Sequence, residues 1–350
     1  MVCFYPGPAK IYPSVKQHLN EAYDSGLLER NHRSAPFEAL LKETVSLLKE
    51  KLAVPSVYSI SFVSSATECW EICTQSFTEE KSLHIYNGAF GKKWFDYAKR
   101  INASAERFVY DCHQSIIEKL PKTDADLICI THNETSNGTQ VNSYDLKKVR
   151  EVYSDQLIAV DATSSMAGVE LPFEEADIWY ASVQKCFGLP AGMAVLICSP
   201  KAVEQAKQID DNRFYNSYNF IEKNFSKSQT THTPNILGIY LLNKVMEEIS
   251  PITKISQQLQ KQAKEWAEVI QKSSFDFLIE NESVRSDTVL AIKGKSLEQI
   301  TDFIKQAEQN GFVIGKGYGE WKETTFRIAN FPAISELETT SLQHFFESYG

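Results

Sequence analysis

The chain has 350 residues, 43% of them hydrophobic, which is enough to bury a large core and favours two domains over one. We find no apolar run of about 18 residues, so we expect no membrane span. The first residues lack a basic segment followed by an apolar one, so we expect no secretory signal. The net charge of −9 argues against general nucleic-acid binding, which needs a basic face.

The seven cysteines are scattered and odd in number. Cys69 and Cys73 are spaced for one face of a helix, but no second pair completes a zinc site. We therefore expect free thiols in a reducing cytoplasm and no bound metal.

From about residue 15 to residue 240, apolar runs of strand length alternate with helical patterns. This alternation predicts an α/β fold with a mainly parallel sheet of the seven-stranded type between helices. The runs are nearly continuous in apolar residues, as in strands buried on both faces. The predicted strands are 58–63, 82–86, 127–131, 157–161, 177–182 and 194–198.

The C-terminal part has a different pattern. After Pro234 we predict a long helical region, 236–271, with a kink at Pro251. Strands at 287–292, 312–314 and 325–328 then alternate with helices at 297–309 and 334–348. We therefore predict a large domain of residues 15–240 and a smaller α+β domain of residues 241–350, joined by residues 1–14.

Ligands of open α/β sheets bind at the carboxyl ends of the strands. Asp161 ends one predicted strand and Lys185 follows another. The pair suits pyridoxal 5'-phosphate (PLP): the Lys185 amine would form a Schiff base with the cofactor aldehyde, and Asp161 would keep the pyridinium nitrogen protonated. Because both residue types are common, a surface lysine and a helix-capping aspartate are the better explanation of the pair taken alone.

Small residues follow the first predicted strand. Ser65, Ala66 and Thr67 lead into a helix whose free N–H groups suit a phosphate. An ordinary N-cap is the alternative explanation.

Two further segments follow predicted strands. Phe90, in a glycine-flanked turn, could stack on a flat heterocycle or simply pack in the core. Thr135 lies in the polar run 132–138, which is hard to bury without a polar partner, and is placed to donate to a ring hydroxyl. A turn built on Asn137 and Gly138 is the alternative.

Taken together, several segments resemble the class V aminotransferases of PLP fold type I, in order, in spacing and over nearly the whole chain. They are Asn133-Glu134-Thr135, Asp161-Ala162-Thr163, Gln184-Lys185 and Thr233-Pro234. The resemblance implies that Lys185 is the Schiff-base lysine, that Asp161 is the pyridinium partner, that Thr135 binds the ring oxygen and that Phe90 stacks on the ring. The other cofactor contacts that it implies are Ser65, Ala66, Thr67, Thr163 and Gln184.

The resemblance also implies a homodimer with two shared active sites. In such proteins a threonine of the neighbouring subunit completes the phosphate site, and Thr233 fits that role. The implied substrates are an amino acid and a keto acid. From the free thiols and the lack of a secretory signal we expect a cytoplasmic location.

Two segments resemble substrate-binding parts of the family. Gly7 lies in a stretch similar to the N-terminal Gly-Pro segment that crosses the site. His32 and Arg33 resemble the Ser-His-Arg-Ser segment of phosphoserine aminotransferases, where the His-Arg pair helps to bind the substrate phosphate. Capping of the helix that starts near Pro36 is the alternative for His32 and Arg33.

Arg327 lies in a stretch that resembles the family's C-terminal arginine strand, where a bidentate arginine orients the substrate carboxylate. Phosphoserine aminotransferases carry a His-Arg pair shortly before that arginine. Here residues 315–322 read Gly-Lys-Gly-Tyr-Gly-Glu-Trp-Lys, which is closer to class V enzymes acting on alanine, serine and glyoxylate. Lys316 and Lys322 are the candidates to replace the missing cations.

The leading hypothesis is transamination between O-phospho-L-serine and 2-oxoglutarate in serine biosynthesis. The first alternative is transamination between alanine or serine and glyoxylate. A second alternative is a lyase or desulfurase on the same scaffold, which would need a reactive cysteine on a mobile loop, and we find none in a clearly exposed glycine-rich segment. A third is a PLP-free interaction protein, against which the intact Lys185, Asp161 and Thr135 argue.

Overall fold

The computed structural model describes residues 1–349, which form two β-sheets covered by helices. In chain order the strands are β1 (Val2–Phe4), β2 (Ser59–Val63), β3 (Ser82–Tyr86), β4 (Glu106–Val109), β5 (Leu127–Thr131), β6 (Asn133–Glu134), β7 (Thr139–Gln140), β8 (Leu157–Asp161), β9 (Ile178–Ser182), β10 (Ala194–Cys198), β11 (Asp276–Phe277), β12 (Val289–Lys293), β13 (Phe312–Lys316) and β14 (Thr325–Ala329). The α-helices are α1 (Val15–Asp24), α2 (Ala35–Leu52), α3 (Ala66–Ser76), α4 (Ala89–Ile101), α5 (Ser143–Val152), α6 (Pro200–Ile209), α7 (Tyr218–Phe225), α8 (Ile236–Glu248), α9 (Ile252–Lys272), α10 (Leu297–Gln309) and α11 (Glu336–Ser348).

The large sheet has seven strands in the order β2-β10-β9-β8-β5-β3-β4. The pairs β9–β8, β8–β5, β5–β3 and β3–β4 are parallel, and β10 runs antiparallel to both of its neighbours. Strands β3, β5, β8, β9 and β10 are buried along their whole length. The predicted α/β fold with a mainly parallel, doubly covered sheet is confirmed.

Most strand boundaries of the large sheet follow from the sequence. Strands β3, β5, β8 and β10 have the predicted ends, and β2 and β9 start one residue later than predicted. The edge strand β4 was not predicted, because its residues are largely exposed and lack the apolar run of a buried strand.

The smaller sheet has the order β1-β13-β14-β12-β11, so that the N-terminal strand pairs with a strand near the C-terminus. Its core is aromatic. The Phe303 ring lies within 5 Å, centroid to centroid, of the rings of Phe275 (4.8 Å), Phe326 (4.8 Å), Phe346 (4.5 Å) and Tyr349 (4.9 Å). The domain boundary near residue 240 stays a prediction.

The long helical region that we predicted at 236–271 is two separate helices. Helix α8 ends at Glu248, and α9 starts at Ile252 with Pro251 as its N-cap. Because proline lacks an N–H group and restricts the residue before it, the chain leaves the helix instead of kinking within it.

Within residues 1–349, no helix has both the length and the apolar character that crossing a membrane requires. The seven cysteines are free thiols, and Cys69, Cys73, Cys129, Cys186 and Cys198 are buried.

The aromatic core of the smaller sheet yields a stability prediction. Phe303 is fully buried, so Phe303→Ala should lower the free energy of unfolding by about 3–5 kcal/mol through lost burial and a residual cavity. Urea unfolding followed by circular dichroism measures the change. Leu297 lies on the same helix and is 53% exposed, so Leu297→Ala should stay within about 0.5 kcal/mol of the wild type. Equal losses for both variants would contradict the assigned core.

Candidate active site

A cavity of about 240 Å³ lies at the carboxyl edge of the large sheet, where β5, β8 and β9 end. Ten of the fourteen residues predicted from the sequence line it, namely Gly7, Ala66, Thr67, Phe90, Thr135, Asp161, Thr163, Gln184, Lys185 and Arg327. Residues that are up to 320 positions apart in the chain thus meet at one edge, as expected for an open α/β sheet.

Lys185 follows β9 and points into this cavity, with 8% of its surface exposed. Its Nζ donates to the Thr135 Oγ1 at 2.8 Å. Burial lowers the pKa of Lys185 to about 8, because the charged amine is poorly solvated there, and the nearby Asp161 acts in the opposite direction. The lysine is therefore partly neutral, and so nucleophilic, near neutral pH.

The N-terminal segment packs directly against the Lys185 side chain. Gly7 has a φ of +150°, and a Cβ at this position would lie 2.9 Å from the Lys185 Cε. Only glycine combines this backbone conformation with so close an approach.

Asp161 ends β8 and is 6% exposed. Its carboxylate accepts from the Trp70 Nε1 at 3.3 Å and from the Thr163 backbone N–H at 3.0 Å. Burial raises the pKa of Asp161, while these donors and the Lys185 charge oppose that rise. The Asp161 carboxylate is therefore buried and can accept a further hydrogen bond from a donor in the cavity.

Glu134 fixes the start of helix α4 and with it the position of Phe90. The buried carboxylate accepts from the backbone N–H groups of Phe90 (3.1 Å) and Gly91 (3.1 Å), and from the Ser136 hydroxyl at 2.6 Å. A negative charge at a helix N-terminus is favourable. The Phe90 ring stacks on the Tyr318 ring, with centroids 5.1 Å apart and planes at 16°. The Lys185 Nζ is 5.2 Å from the centroid of the Phe90 ring.

Arg327 lies in the middle of β14 and is 3% exposed. Its Nε donates to the Lys316 carbonyl at 2.9 Å, and its Nη1 donates to the Thr135 carbonyl at 2.9 Å. Among residues 1–349 it has no carboxylate partner in a salt bridge. Burial lowers the pKa of Arg327, because the charged guanidinium is poorly solvated there. A buried, unpaired guanidinium with free donors facing a cavity indicates an anion-binding site.

The N-terminus of α3 forms another side of the cavity. Ser65 is the N-cap, and its hydroxyl accepts from the Glu68 N–H at 3.1 Å. The Ala66 N–H donates to the Ser182 Oγ at 3.0 Å, and Thr67 is exposed to the cavity. Ser65 itself lies next to the cavity but outside its lining.

Three other predicted residues are also outside the cavity of their own chain. Arg33 and the half-buried His32 lie in the loop before α2, and Thr233 is exposed in the loop before α8. Arg33 is exposed, and its backbone N–H donates to the Asn31 Oδ1 at 2.8 Å. The roles predicted for these three residues stay predictions.

Several cavity residues were not predicted from the sequence. Trp70 lies one helical turn after Ala66 on the same face of α3, so the i, i+4 spacing could have found it. Ser182 ends a correctly located strand, where ligand-binding residues are expected. Tyr318 lies in the segment that departs from the phosphoserine pattern, and no signal in the sequence showed which of its side chains reaches the cavity.

The lining fits a polar, anionic heterocycle such as PLP. Three buried lining atoms, Thr131 Oγ1, Asn133 Oδ1 and Thr163 Oγ1, have no hydrogen-bond partner within the part of the chain that is described. Buried polar atoms without a partner are rare and point to a ligand. The amine of Lys185, the carboxylate of Asp161, the ring of Phe90 and the helix N-terminus at Ala66 complete a set of groups that suits this cofactor.

Comparisons with known proteins agree with this geometry. The Aminotransferase class-V family matches residues 1–317. The chain is 27% identical over 349 residues to the phosphoserine aminotransferase of Rhodococcus opacus, covering 96% of this chain and 91% of the relative. It is 26% identical over 357 residues to that of Lactococcus lactis subsp. cremoris, covering 97% and 96%.

Solved structures give the same result. A phosphoserine aminotransferase of Cytophaga hutchinsonii superposes with a TM-score of 0.94 at 34% identity, over 99% of this chain and 98% of that one. An alanine–glyoxylate aminotransferase of Nostoc sp. shares the fold, with a TM-score of 0.84 at 20% identity over 99% and 94%. The chain belongs to the class V aminotransferases and is a PLP-dependent transferase.

Proposed function

We propose that this chain transfers the amino group of O-phospho-L-serine to 2-oxoglutarate. The observation that carries the proposal is the buried, unpaired Arg327 in the cavity that also holds Lys185 and Asp161. Each of these two substrates has a carboxylate beside the reacting carbon and a second anionic group. The phosphoserine aminotransferases that match this chain over nearly its full length support the choice of substrate.

When bound, PLP supplies an aldehyde that links covalently to amines and a ring that accepts electrons from the substrate α-carbon. Asp161 would hold the proton on the ring nitrogen, and Thr135 would donate to the ring oxygen. Phe90 would cover one face of the ring. Five residues would complete the phosphate and ring contacts, namely Ser65, Ala66, Thr67, Thr163 and Gln184.

Lys185 is the proposed base and acid. Its amine, when neutral, would take the proton from the substrate α-carbon, and the ammonium so formed would later give that proton back. The cavity holds this amine in place through Thr135 and through the close packing of Gly7. Asp161 would offset the positive charge of the protonated ring nitrogen, and a fixed, buried carboxylate does so better than water.

Arg327 would bind the α-carboxylate through the guanidinium donors that face the cavity. His32, Arg33 and Thr233 lie outside the cavity of their own chain. We therefore propose a homodimer in which the partner subunit brings these three residues to the site, with Thr233 at the cofactor phosphate.

The alternative functions have less support. Cys186, beside Lys185, is buried and its thiol donates to the Ser164 carbonyl at 3.3 Å. Burial raises the pKa of Cys186, so its thiol stays neutral, which disfavours it as a desulfurase nucleophile. The alanine–glyoxylate reaction keeps one supporting observation, the Gly-Tyr-Gly sequence at 317–319.

The first test of the proposal is half-reaction spectroscopy. Holoenzyme mixed with phosphoserine or glutamate should convert to the pyridoxamine form at least about tenfold more efficiently than with serine or alanine, since one charge-assisted hydrogen bond contributes roughly that factor. Stopped-flow absorbance at several substrate concentrations measures the efficiency. Conversion with phosphoserine no better than with serine would refute the substrate assignment.

Lys185→Ala tests the proposed base. The variant should lose the visible absorption band of the lysine-bound cofactor, and its turnover should fall by about 10²–10⁴ or more, because no other amine in the cavity can move the proton. Absorbance and a coupled glutamate assay measure the two effects. Lys316→Ala, at an exposed position outside the cavity lining, is the matched control and should keep the band.

The lowered pKa of Lys185 predicts the pH dependence of cofactor binding. Only the neutral amine attacks the aldehyde, so the rate at which apoenzyme takes up PLP should rise with pH and level off above about 8, the pKa set by burial. The growth of the visible band at each pH measures this rate. A rate that still increases up to the ordinary lysine value near 10.5 would contradict the burial of the amine.

A further inference from the structure

A second cation, the exposed Lys93, lies outside the cavity lining but contacts a residue of that lining. The Lys93 Nζ donates to the hydroxyl of Tyr318, a residue that lines the cavity. Lys93 follows Phe90 by three positions on α4, so both side chains point to the same side of the helix. Its Nζ is 5.5 Å from the centroid of the Phe90 ring.

Tyr318 is held firmly among these groups. Its ring stacks on Phe90 at 5.1 Å, and the Arg327 guanidinium carbon is 5.3 Å from its centroid. Because the Tyr318 oxygen accepts from Lys93, the phenolic hydrogen is free for an acceptor in another direction. The neighbouring ammonium also makes this hydroxyl a stronger donor.

The positive charge of Lys93 is not neutralised by the protein. Among residues 1–349, Lys93 forms no salt bridge, whereas the adjacent Lys92 pairs with Asp96 at 2.6 Å. Nearby Glu134 is occupied by the N–H groups of Phe90 and Gly91 and by Ser136. An anionic ligand would therefore be the counter-ion of Lys93.

The other two candidate cations are less suitable. Lys316 and Lys322, which the sequence suggested as replacements for the missing His-Arg pair, are both exposed and outside the cavity lining. The Lys316 carbonyl, not its amine, contacts Arg327. Lys93 is also exposed and outside the lining, but its amine donates to Tyr318, which belongs to the lining.

We propose that Tyr318, polarised by Lys93, binds the distal anionic group of the substrate, a phosphate or a carboxylate, while Arg327 holds the α-carboxylate. This inference rests on the proposed function and deepens it. Tyr318 donates its hydroxyl hydrogen to a distal oxygen, and Lys93 is a positioning residue that orients this hydroxyl and adds charge. The pair determines the preference of the site for amino acids with two acidic groups.

The test is the half-reaction of holoenzyme with phosphoserine, glutamate and alanine in four variants. Lys93→Met and Tyr318→Phe each remove one part of the pair with little change in shape. Lys93→Arg keeps the charge and the donor. Lys92→Met, the adjacent lysine with its own acidic partner, is the matched control.

Lys93→Met and Tyr318→Phe should lower the efficiency with phosphoserine and with glutamate, relative to alanine, by about tenfold, mainly through weaker substrate binding. Lys93→Arg should restore at least part of this preference, and Lys92→Met should leave the ratios unchanged. A purely structural role would lower the efficiency with all three substrates together and leave the ratios between them unchanged.

The outcomes separate the two proposals. If the wild type prefers the acidic substrates and Lys93→Met and Tyr318→Phe retain that preference, the role of the pair is wrong and the proposed function stands. If the efficiency falls equally with all substrates in these variants, the role proposed for the pair is likewise wrong. If the wild type itself shows no preference over alanine, both proposals are overturned.

Discussion

The oppositely charged groups of Lys185 and Asp161 are buried in one cavity at the carboxyl edge of the large sheet. The surrounding elements supply the hydrogen-bond partners that make this burial stable. A charge taken out of water is costly unless hydrogen bonds and an opposite charge compensate it. Thr135 contacts the amine, and Trp70 and the Thr163 N–H contact the carboxylate. These partners come from different parts of the chain, and the sheet brings them together.

The hairpin of β6 and β7 links the two sheets to this charge pair. Thr135, which follows β6, accepts from Arg327 of the smaller sheet through its carbonyl and from Lys185 through its hydroxyl. The Gly138 carbonyl accepts from the Ser286 N–H at 2.9 Å, and the Asn133 amide donates to Thr288 at 3.0 Å. The position of Arg327 relative to Lys185 therefore depends on this short polar segment, which explains why so polar a run is buried.

Local charge in the site opposes the charge of the whole chain. The chain carries a net charge of −9, yet Lys93, Lys185 and Arg327 gather around Phe90 and Tyr318. The acidic groups nearby, Asp161 and Glu134, are engaged by Trp70 and by backbone N–H groups. Such a local excess of positive charge favours an anionic substrate over a neutral one.

The sequence alone determined the large sheet and the central pair of the site. Buried parallel strands are continuous apolar runs, so their ends could be read to within a residue, and Asp161 and Lys185 follow directly from those ends. It could not locate the exposed edge strand β4, because an exposed strand carries no such run. It also joined α8 and α9 into one helix, because the pattern is helical on both sides of Pro251.

Only the tertiary structure decided which polar side chains share the cavity. The contacts of Tyr318 depend on how the segment after β13 packs against α4, and residue spacing does not encode this packing. The same holds for the cations. Lys316, Lys322 and Lys93 look alike in the sequence, and only the fold of α4 against the segment after β13 brings Lys93 to Tyr318. Contacts between distant segments arise from packing, and so they appear only once the chain is folded.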